Sequence, residues 1–498
     1  MLGPANPGRN WFATVRQSLA PGPADLVFGL VLLLVLIGGR HGLFADPGTP
    51  WHYRLGREIL ASGTVPDRDT FTYTRAGANW VDQSWGFDTL LALVVGGWGW
   101  PGVLALSALG LAALYAAMAR DLLRDGASPP AAIVATILAM AIGSIHFLAR
   151  PHLFTLGLVY LTFRACRRQH EQGGRAVFLV PLYTAILANL HGGFVILPMV
   201  VATSAIGHAI AGPWDPGRRS EVSKFTASAI LSMLAALANP YGTELYVHVA
   251  DLLVSSGVTG LIIEYQPPAF GKPEAEVLEW VVLGLIALPV ISTRRMDRYQ
   301  LAHILVWLHL ALTTIRNAPI FAMAAAPALA TMIDGLPISD SLRRPWRTSR
   351  LGWIWPPLAT IGLLLAAGFD RLPGGLDPVR WPLSAMAALD RQPATARLFH
   401  EQDWGGLIES ESLPVRKAYL DDRFELFGKE TIVEYVDALS GGPAWDRLRD
   451  RERIDLVWIR PQRGLARRML REPGWSVVHR DRVSILFRRV GAGGLASR

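Results

Sequence analysis

From about residue 24 to residue 368 the chain alternates between apolar runs and short polar turns. The runs are about 16–20 residues long, the length of a bilayer-crossing helix. The first, about 24–39, follows a segment carrying Arg9 and Arg16 without a cleavable signal pattern. It reads as a retained span that starts in the cytoplasm. The apolar stretch 87–98 is short, and Gly-Trp-Gly-Trp-Pro-Gly at 97–102 breaks it from 103–119. The first piece reads as an interfacial or re-entrant helix, the second as the next span. Further spans are expected at about 129–147, 177–189, 276–292, 300–315 and 352–368, with others between the turns, eleven in all.

The turns sort by chemistry. Arg120 and Arg124; Arg164, Arg167, Arg168 and Arg175; Arg218, Arg219 and Lys224; Arg294, Arg295 and Arg298; and Arg343, Arg344, Arg347 and Arg350 fall on one side of the alternation. Turns 149–152, 189–193, 239–242 and 316–319, rich in His, Asn, Pro and Gly, fall on the other. The positive-inside rule puts the first set in the cytoplasm and the second outside. A mis-assigned span would scramble that parity.

Beyond residue 369 the pattern changes to short alternating runs. Strands are expected at 396–399, 417–420, 456–459 and 483–487, and helices at 430–439 and 464–470, which gives a small α/β domain outside the membrane. The domain division is therefore 1–370, with an outer loop at 40–100, followed by a soluble unit at 371–498. The long outer segment 240–275 holds a second interfacial helix at 244–253. There is no internal repeat and no low-complexity tract.

Composition fits this picture. Of 498 residues, 51% are hydrophobic and 18% charged, and the mean hydropathy is +0.29. A net charge of +8 would suggest nucleic acid in a soluble protein. Here the basic residues gather in loops between spans, where topology explains them. The single cysteine, Cys166, excludes an intrachain disulfide. No Walker loop, G-x-S-x-G elbow or glycine-rich nucleotide fingerprint is present, which argues against a nucleotide-fuelled pump.

Candidate chemistry concentrates in 44–85. Thr49 and Pro50 predict a helix start, with Thr49 as a hydroxyl cap, and Ser62-Gly63 closes the helix. Trp51, Leu55 and Ile59 form an apolar line that suits a membrane–water interface. Asp46 lies at the mouth of the first span, where a carboxylate is costly to bury and is a functional candidate, the alternative being a solvated turn with Pro47 and Gly48. His52 could bind phosphate or metal, or reach to water. Asp67, Asp69 and Asp82 read mainly as turn and cap residues. Arg150, His152, His191, His248, Glu264 and Arg316 share the outer face, and the two arginines suit a lipid phosphate or pyrophosphate, or headgroup snorkelling. No His/Cys spacing marks a metal site, although Asp46 with Glu264 or a histidine could hold a hard cation. Tyr419-Leu420-Asp421-Asp422-Arg423 reads as a strand ending in charges, either a ligand site or a surface ion pair.

Taken together, Asp46, WHYRLGREIL at 51–60 and GTVPDRDTFTYTRAGANWVDQSW at 63–85 resemble the first outer loop of the GT-C superfamily of integral-membrane glycosyltransferases. The resemblance is to the bacterial relatives of protein mannosyltransferases and aminoarabinose transferases. RPHLF (150–154), NLHGGF (189–194), NPYGTELY (239–246), EYQPPAF (264–270), RNAPIF (316–321) and WGGLIESE…AYLDDRFELFG (404–428) resemble further blocks of one branch. The resemblance implies transfer of a sugar from a polyprenyl-phosphate donor to a lipid, glycan or protein acceptor. The expected location is the outer face of a bacterial cytoplasmic membrane, with inversion at the sugar. It also implies that Asp46 acts as base or metal ligand. Better-studied members often carry two adjacent acidic residues here, whereas Pro47 follows Asp46. A transporter or flippase for lipid-linked saccharides would place polar groups at mid-membrane and show repeat symmetry. A non-catalytic assembly factor is the third reading.

Overall fold

The computed structural model describes residues 20–39, 41–255, 257–337, 354–368, 372 and 374–490. Arg9, Arg16, Arg343, Arg344, Arg347 and Arg350 lie outside the described residues.

The helices of the first part are α1 (Pro23–Gly38), α2 (Thr49–Ser62), α3 (Trp85–Arg124), α4 (Pro129–Gly143), α5 (His152–Gln172), α6 (Val180–Ala188) and α7 (Ile196–Ile210). They continue with α8 (Pro216–Ala235), α9 (Glu244–Ala250), α10 (Pro273–Ile291), α11 (Arg298–Thr313), α12 (Ala318–Asp334) and α13 (Trp355–Ala367). Helix α12 is the core of this part. It is buried on every side, and its Ala-rich sequence lets α4 and α11 pack closely against it. The opposite pattern holds outside. Trp280, Ile286 and Val290 on α10 and Ile206 on α7 are exposed, an apolar outer surface that suits lipid better than water.

Among the described residues, three helices are long and apolar enough by length and composition to cross a membrane: Trp85–Arg124, Pro129–His146 and Gly192–Ile210. Pro23–Gly38, Ala176–Ala188 and Trp355–Ala366 are shorter apolar helices. The break expected at 97–102 is a kink within α3, where Gly99 leaves helical geometry at φ 64° and ψ −171°.

Residues 381–489 build a four-stranded sheet in the order β1 (Arg397–His400), β2 (Ile454–Ile459), β4 (Ile485–Arg489), β3 (Trp475–Arg480). β1 and β2 are parallel, and the other two pairings are antiparallel. The period of two explains its central position. On β2, Leu456 and Trp458 pack into one apolar cluster with Leu398 and Leu486, while Val457 and Ile459 pack into another with Phe399, Ile485 and Phe487. Around it lie α14 (Met386–Asp390), α15 (Gly405–Ser412), α16 (Phe424–Phe427), α17 (Lys429–Leu439), α18 (Ala444–Arg451) and α19 (Gly464–Met469).

Two expectations fail here. β3 went unread because it is a half-exposed edge strand with little apolar alternation. Segment 417–420 is not a strand of this sheet. Its backbone is spent on the outer loop instead: Ala418 donates to the Phe71 carbonyl at 3.1 Å, and Tyr73 donates to the Ala418 carbonyl at 3.0 Å. Thr74 Oγ1 reaches the Tyr419 carbonyl, and Tyr73 the Leu398 carbonyl. The outer loop is thereby stitched to the C-terminal unit, and residues 419–425 are brought under it.

Candidate functional site

A cavity of about 400 Å³ opens where the outer turns of the helical part meet that unit. Asp46, His52, Arg150, His152, His191, Glu264 and Arg316 all line it, although they come from five separate stretches of chain. His248, on α9, does not line it.

The apolar line of α2 accounts for the placement of Asp46 and His52. Trp51, Leu55 and Ile59 are buried against Phe71 and Trp80, and α2 packs between α3 and α15. The helix therefore rests on protein, where a membrane interface was expected. Gly63 ends it as expected, in left-handed conformation with its N–H on the Ile59 carbonyl at 2.8 Å. Thr49 does not cap it. Its hydroxyl donates instead to the Ala149 carbonyl at 3.2 Å, tying the helix start to the turn that carries Arg150.

Arg150 is the hub. Its guanidinium lies 3.0 Å from Asp46, 2.7 Å from Asp422 and 4.0 Å from Glu264. Asp46 Oδ1 also accepts the Gly48 N–H at 2.7 Å. A Cβ on Gly48 would stand 2.8 Å from Asp422, 3.0 Å from Asp46 and 3.1 Å from Arg150, so only glycine fits inside this triad. Glu264 in turn accepts from Arg316 at 3.1 Å, and Arg316 lies 2.6 Å from His152 Nε2 and 3.4 Å from His191 Nε2. Two guanidinium groups and three carboxylates thus form one connected chain along the wall.

Burial raises the Asp46 carboxyl above the ordinary carboxylate range, opposed by Arg150 and the Gly48 N–H. Burial also acts on Glu264, but Arg316 and Arg150 outweigh it and hold that group low. Burial disfavours charge on Arg150 as well, and Asp46 and Asp422 more than offset it. His191 is kept neutral by burial, by Arg316 and by Arg150. Its Nδ1 lies 2.8 Å from the Thr155 hydroxyl.

Asp422 is pushed up to about 7, by burial first and then by Asp46 and Asp421, against Arg150. An acid raised in the folded state holds a proton that the unfolded chain has released, so its contribution to stability falls as pH rises from about 4 to about 7. Relative to Asp422→Asn, the wild-type protein in detergent is expected to lose melting temperature as pH rises from about 4 to about 7. A difference between the two proteins that stays constant over the interval would contradict this.

In the sequence Asp422 reads as part of a charged strand end, either a ligand site or a surface ion pair. It reaches the cavity because 417–420 pairs with the outer loop, and Trp51 Nε1 donates to it at 2.5 Å. Arg423 also lines the cavity and belongs to a buried cluster, 2.9 Å from Asp69 and 2.5 Å from Asp421, with its guanidinium 4.5 Å from the centre of the Trp80 ring. Asp69 and Asp82 do cap turns, Asp69 for Phe71 and Thr72 and Asp82 for Ser84, yet Asp82 also lines the cavity. Asp67 is exposed. Asp88 drew no notice in the sequence, since it sits within an apolar run. It lies 2.6 Å from His52 Nδ1.

Among the described residues no group of three or more His, Cys, Asp or Glu is placed to hold a metal ion. Between Asp46 and Glu264, the pair considered for a hard cation, stands the Arg150 guanidinium. A second cavity of about 240 Å³ shares Gln83, His152, His191, Leu252, Tyr265 and Arg316 with the first. Its remaining wall is mostly apolar, with Leu156, Ile196, Met199, Val249, Trp307 and Ile320 among its residues.

No protein-family model matches the chain, and no curated protein matches it. Among solved structures, the Archaeoglobus fulgidus oligosaccharyltransferase, crystallised as a complex with zinc and sulfate, is similar over 88% of this chain and 67% of that one. The identity is 14% and the TM-score 0.45.

Proposed function

We propose that this protein is an integral-membrane glycosyltransferase that moves a sugar from a polyprenyl-phosphate donor to an acceptor at the outer face of a cytoplasmic membrane. The reading places residues 371–498 on that outer side, as a unit that closes over the site. One observation carries it: a polar cavity and a mostly apolar one share a wall containing Arg316, His152 and His191. A molecule with a sugar, a phosphate and an isoprenoid tail has that same succession of chemistries. The sugar would lie in the larger cavity, the phosphate beside Arg316 and Arg150, and the first isoprene units in the smaller one.

The acceptor hydroxyl attacks the anomeric carbon as the bond to the phosphate oxygen breaks, with inversion. The arginines stabilise the charge growing on the departing phosphate. Asp46 belongs to the reacting centre through its bond to Arg150, and a carboxylate or imidazole on the wall takes the acceptor's proton.

The test is mass spectrometry of lipid extracts from a strain lacking the protein, complemented with wild type or Asp46→Asn. One polyprenyl-linked sugar should accumulate in the deletion strain, clear with wild type and persist with Asp46→Asn at normal membrane abundance. Unchanged lipid-linked sugars and surface glycans in the deletion strain would refute the proposal.

A further inference from the structure

Within the reaction proposed above, on which this step rests, we infer that His52 Nε2 takes the acceptor's proton, with Asp88 aligned behind the imidazole to hold it.

The imidazole is fixed on every side except the cavity. Its Nδ1 lies 2.6 Å from Asp88 Oδ1, with both side chains buried. The Trp51 ring stacks on it at 3.7 Å, and Phe87 meets it edge-on at 5.4 Å. His52 lines the larger cavity, and with Nδ1 committed to Asp88, Nε2 is left for a ligand. Such an arrangement sets the tautomer: Nδ1–H donates to the carboxylate, and Nε2 presents its lone pair.

Helix packing enforces the geometry. A Cβ on Gly56 would stand 1.9 Å from the Asp88 carbonyl oxygen, so α2 lies directly on the first turn of α3. His52 and Gly56, four residues apart, share the helix face that makes this contact.

Behind Asp88 stands a second acid. Asp82 Oδ1 accepts from the Ser84 N–H at 3.0 Å and the Ser84 hydroxyl at 3.1 Å. Oδ2 of Asp82 and Oδ2 of Asp88 are both buried without a hydrogen-bond partner. Asp46, by contrast, has Oδ1 already committed to both Arg150 and the Gly48 N–H.

In the step itself the acceptor oxygen forms its bond to the anomeric carbon, and the electron pair of the breaking C–O bond leaves with the phosphate. The acceptor's proton moves to Nε2. The imidazolium formed faces the Asp88 carboxylate through Nδ1–H, which offsets its charge in a buried site. Arg150, His191 and Arg423 act on His52 electrostatically. Together with burial, which acts most strongly, they keep the imidazole neutral and able to accept.

The experiment adds purified protein to membrane vesicles from the deletion strain and follows loss of the accumulated polyprenyl-linked sugar against pH. Binding of a short-chain polyprenyl phosphate is measured in parallel. His52→Gln and His52→Asn are expected to bind the probe within about threefold of wild type and to lose about 10²–10⁴-fold in rate. The acid limb of the pH–rate profile should vanish with them. Asp88→Asn should slow transfer and move the acid limb to lower pH, because a carboxylate beside an imidazolium raises its pKa. Transfer within threefold of wild type in either His52 variant would overturn the inference while leaving the glycosyltransferase reading intact. Loss of probe binding in both variants would also overturn it, by making His52 a binding or structural residue. Wild-type protein that neither binds the probe nor consumes the lipid-linked sugar would defeat the underlying reading itself.

Discussion

Arg150→Ala is expected to reduce sugar transfer by about 10²–10³-fold, the usual effect of removing one preorganised group that meets charge developing in a transition state. The size follows from how many partners this side chain serves. It is the bridge from Asp46 to Asp422 and lies near Glu264, so its loss leaves acidic groups facing each other in a confined space. The wall would then repel the donor phosphate it is proposed to hold. Arg150→Lys keeps the charge but cannot reach Asp46 and Asp422 with one planar fork, and should recover only part of the rate. Consumption of the lipid-linked sugar by deletion-strain vesicles, read beside melting temperature, separates lost chemistry from lost folding. An alanine variant within tenfold of wild type would remove Arg150 from the leaving-group side of the reaction.

The second large effect concerns stability. Arg423→Leu should destabilise the junction between the outer loop and the C-terminal unit by about 3–5 kcal/mol, the range for removing one partner from a buried ion pair. Its side chain is 2% exposed, and Asp69 and Asp421 beside it are 0% exposed. Without the guanidinium, two buried carboxylates have lost their cation, and Trp51, Phe71 and Trp80 have lost the group their rings surround. Glu409, also buried, shares this cluster through Asp421. Limited proteolysis should report early cleavage within 63–78, together with a lower melting temperature. Unchanged protease resistance would mean that the backbone pairing of 71–73 with 418 holds the junction alone.

Several parts of this protein follow from local chemistry. Helix α2 was legible with its glycine stop, because an amphipathic period and a C-terminal glycine are properties of adjacent residues. The kink near Gly99 and strands β1, β2 and β4 were legible for the same reason. The turns carrying Asp46, His52, Arg150, His152, His191, Glu264 and Arg316 were grouped from the alternation of basic and non-basic loops, which also put His248, absent from the cavity wall, with them.

What surrounds those turns was decided by pairing across long separations. Segment 417–420 has a strand's composition, and only the competition between sheet edge and outer loop sent it to Phe71 and Tyr73. That choice delivers Asp422 to Arg150. Likewise nothing in an apolar run marks Asp88, whose meaning comes from α2 resting on α3 at Gly56. Local sequence determined the elements and which turns share a side. Contacts between residues as much as 371 positions apart, such as Trp51 with Asp422, decided which charges meet. The reason is physical: a side chain's periodicity is set by its neighbours in the chain, whereas the cost of burying a charge is set by whatever the fold places beside it.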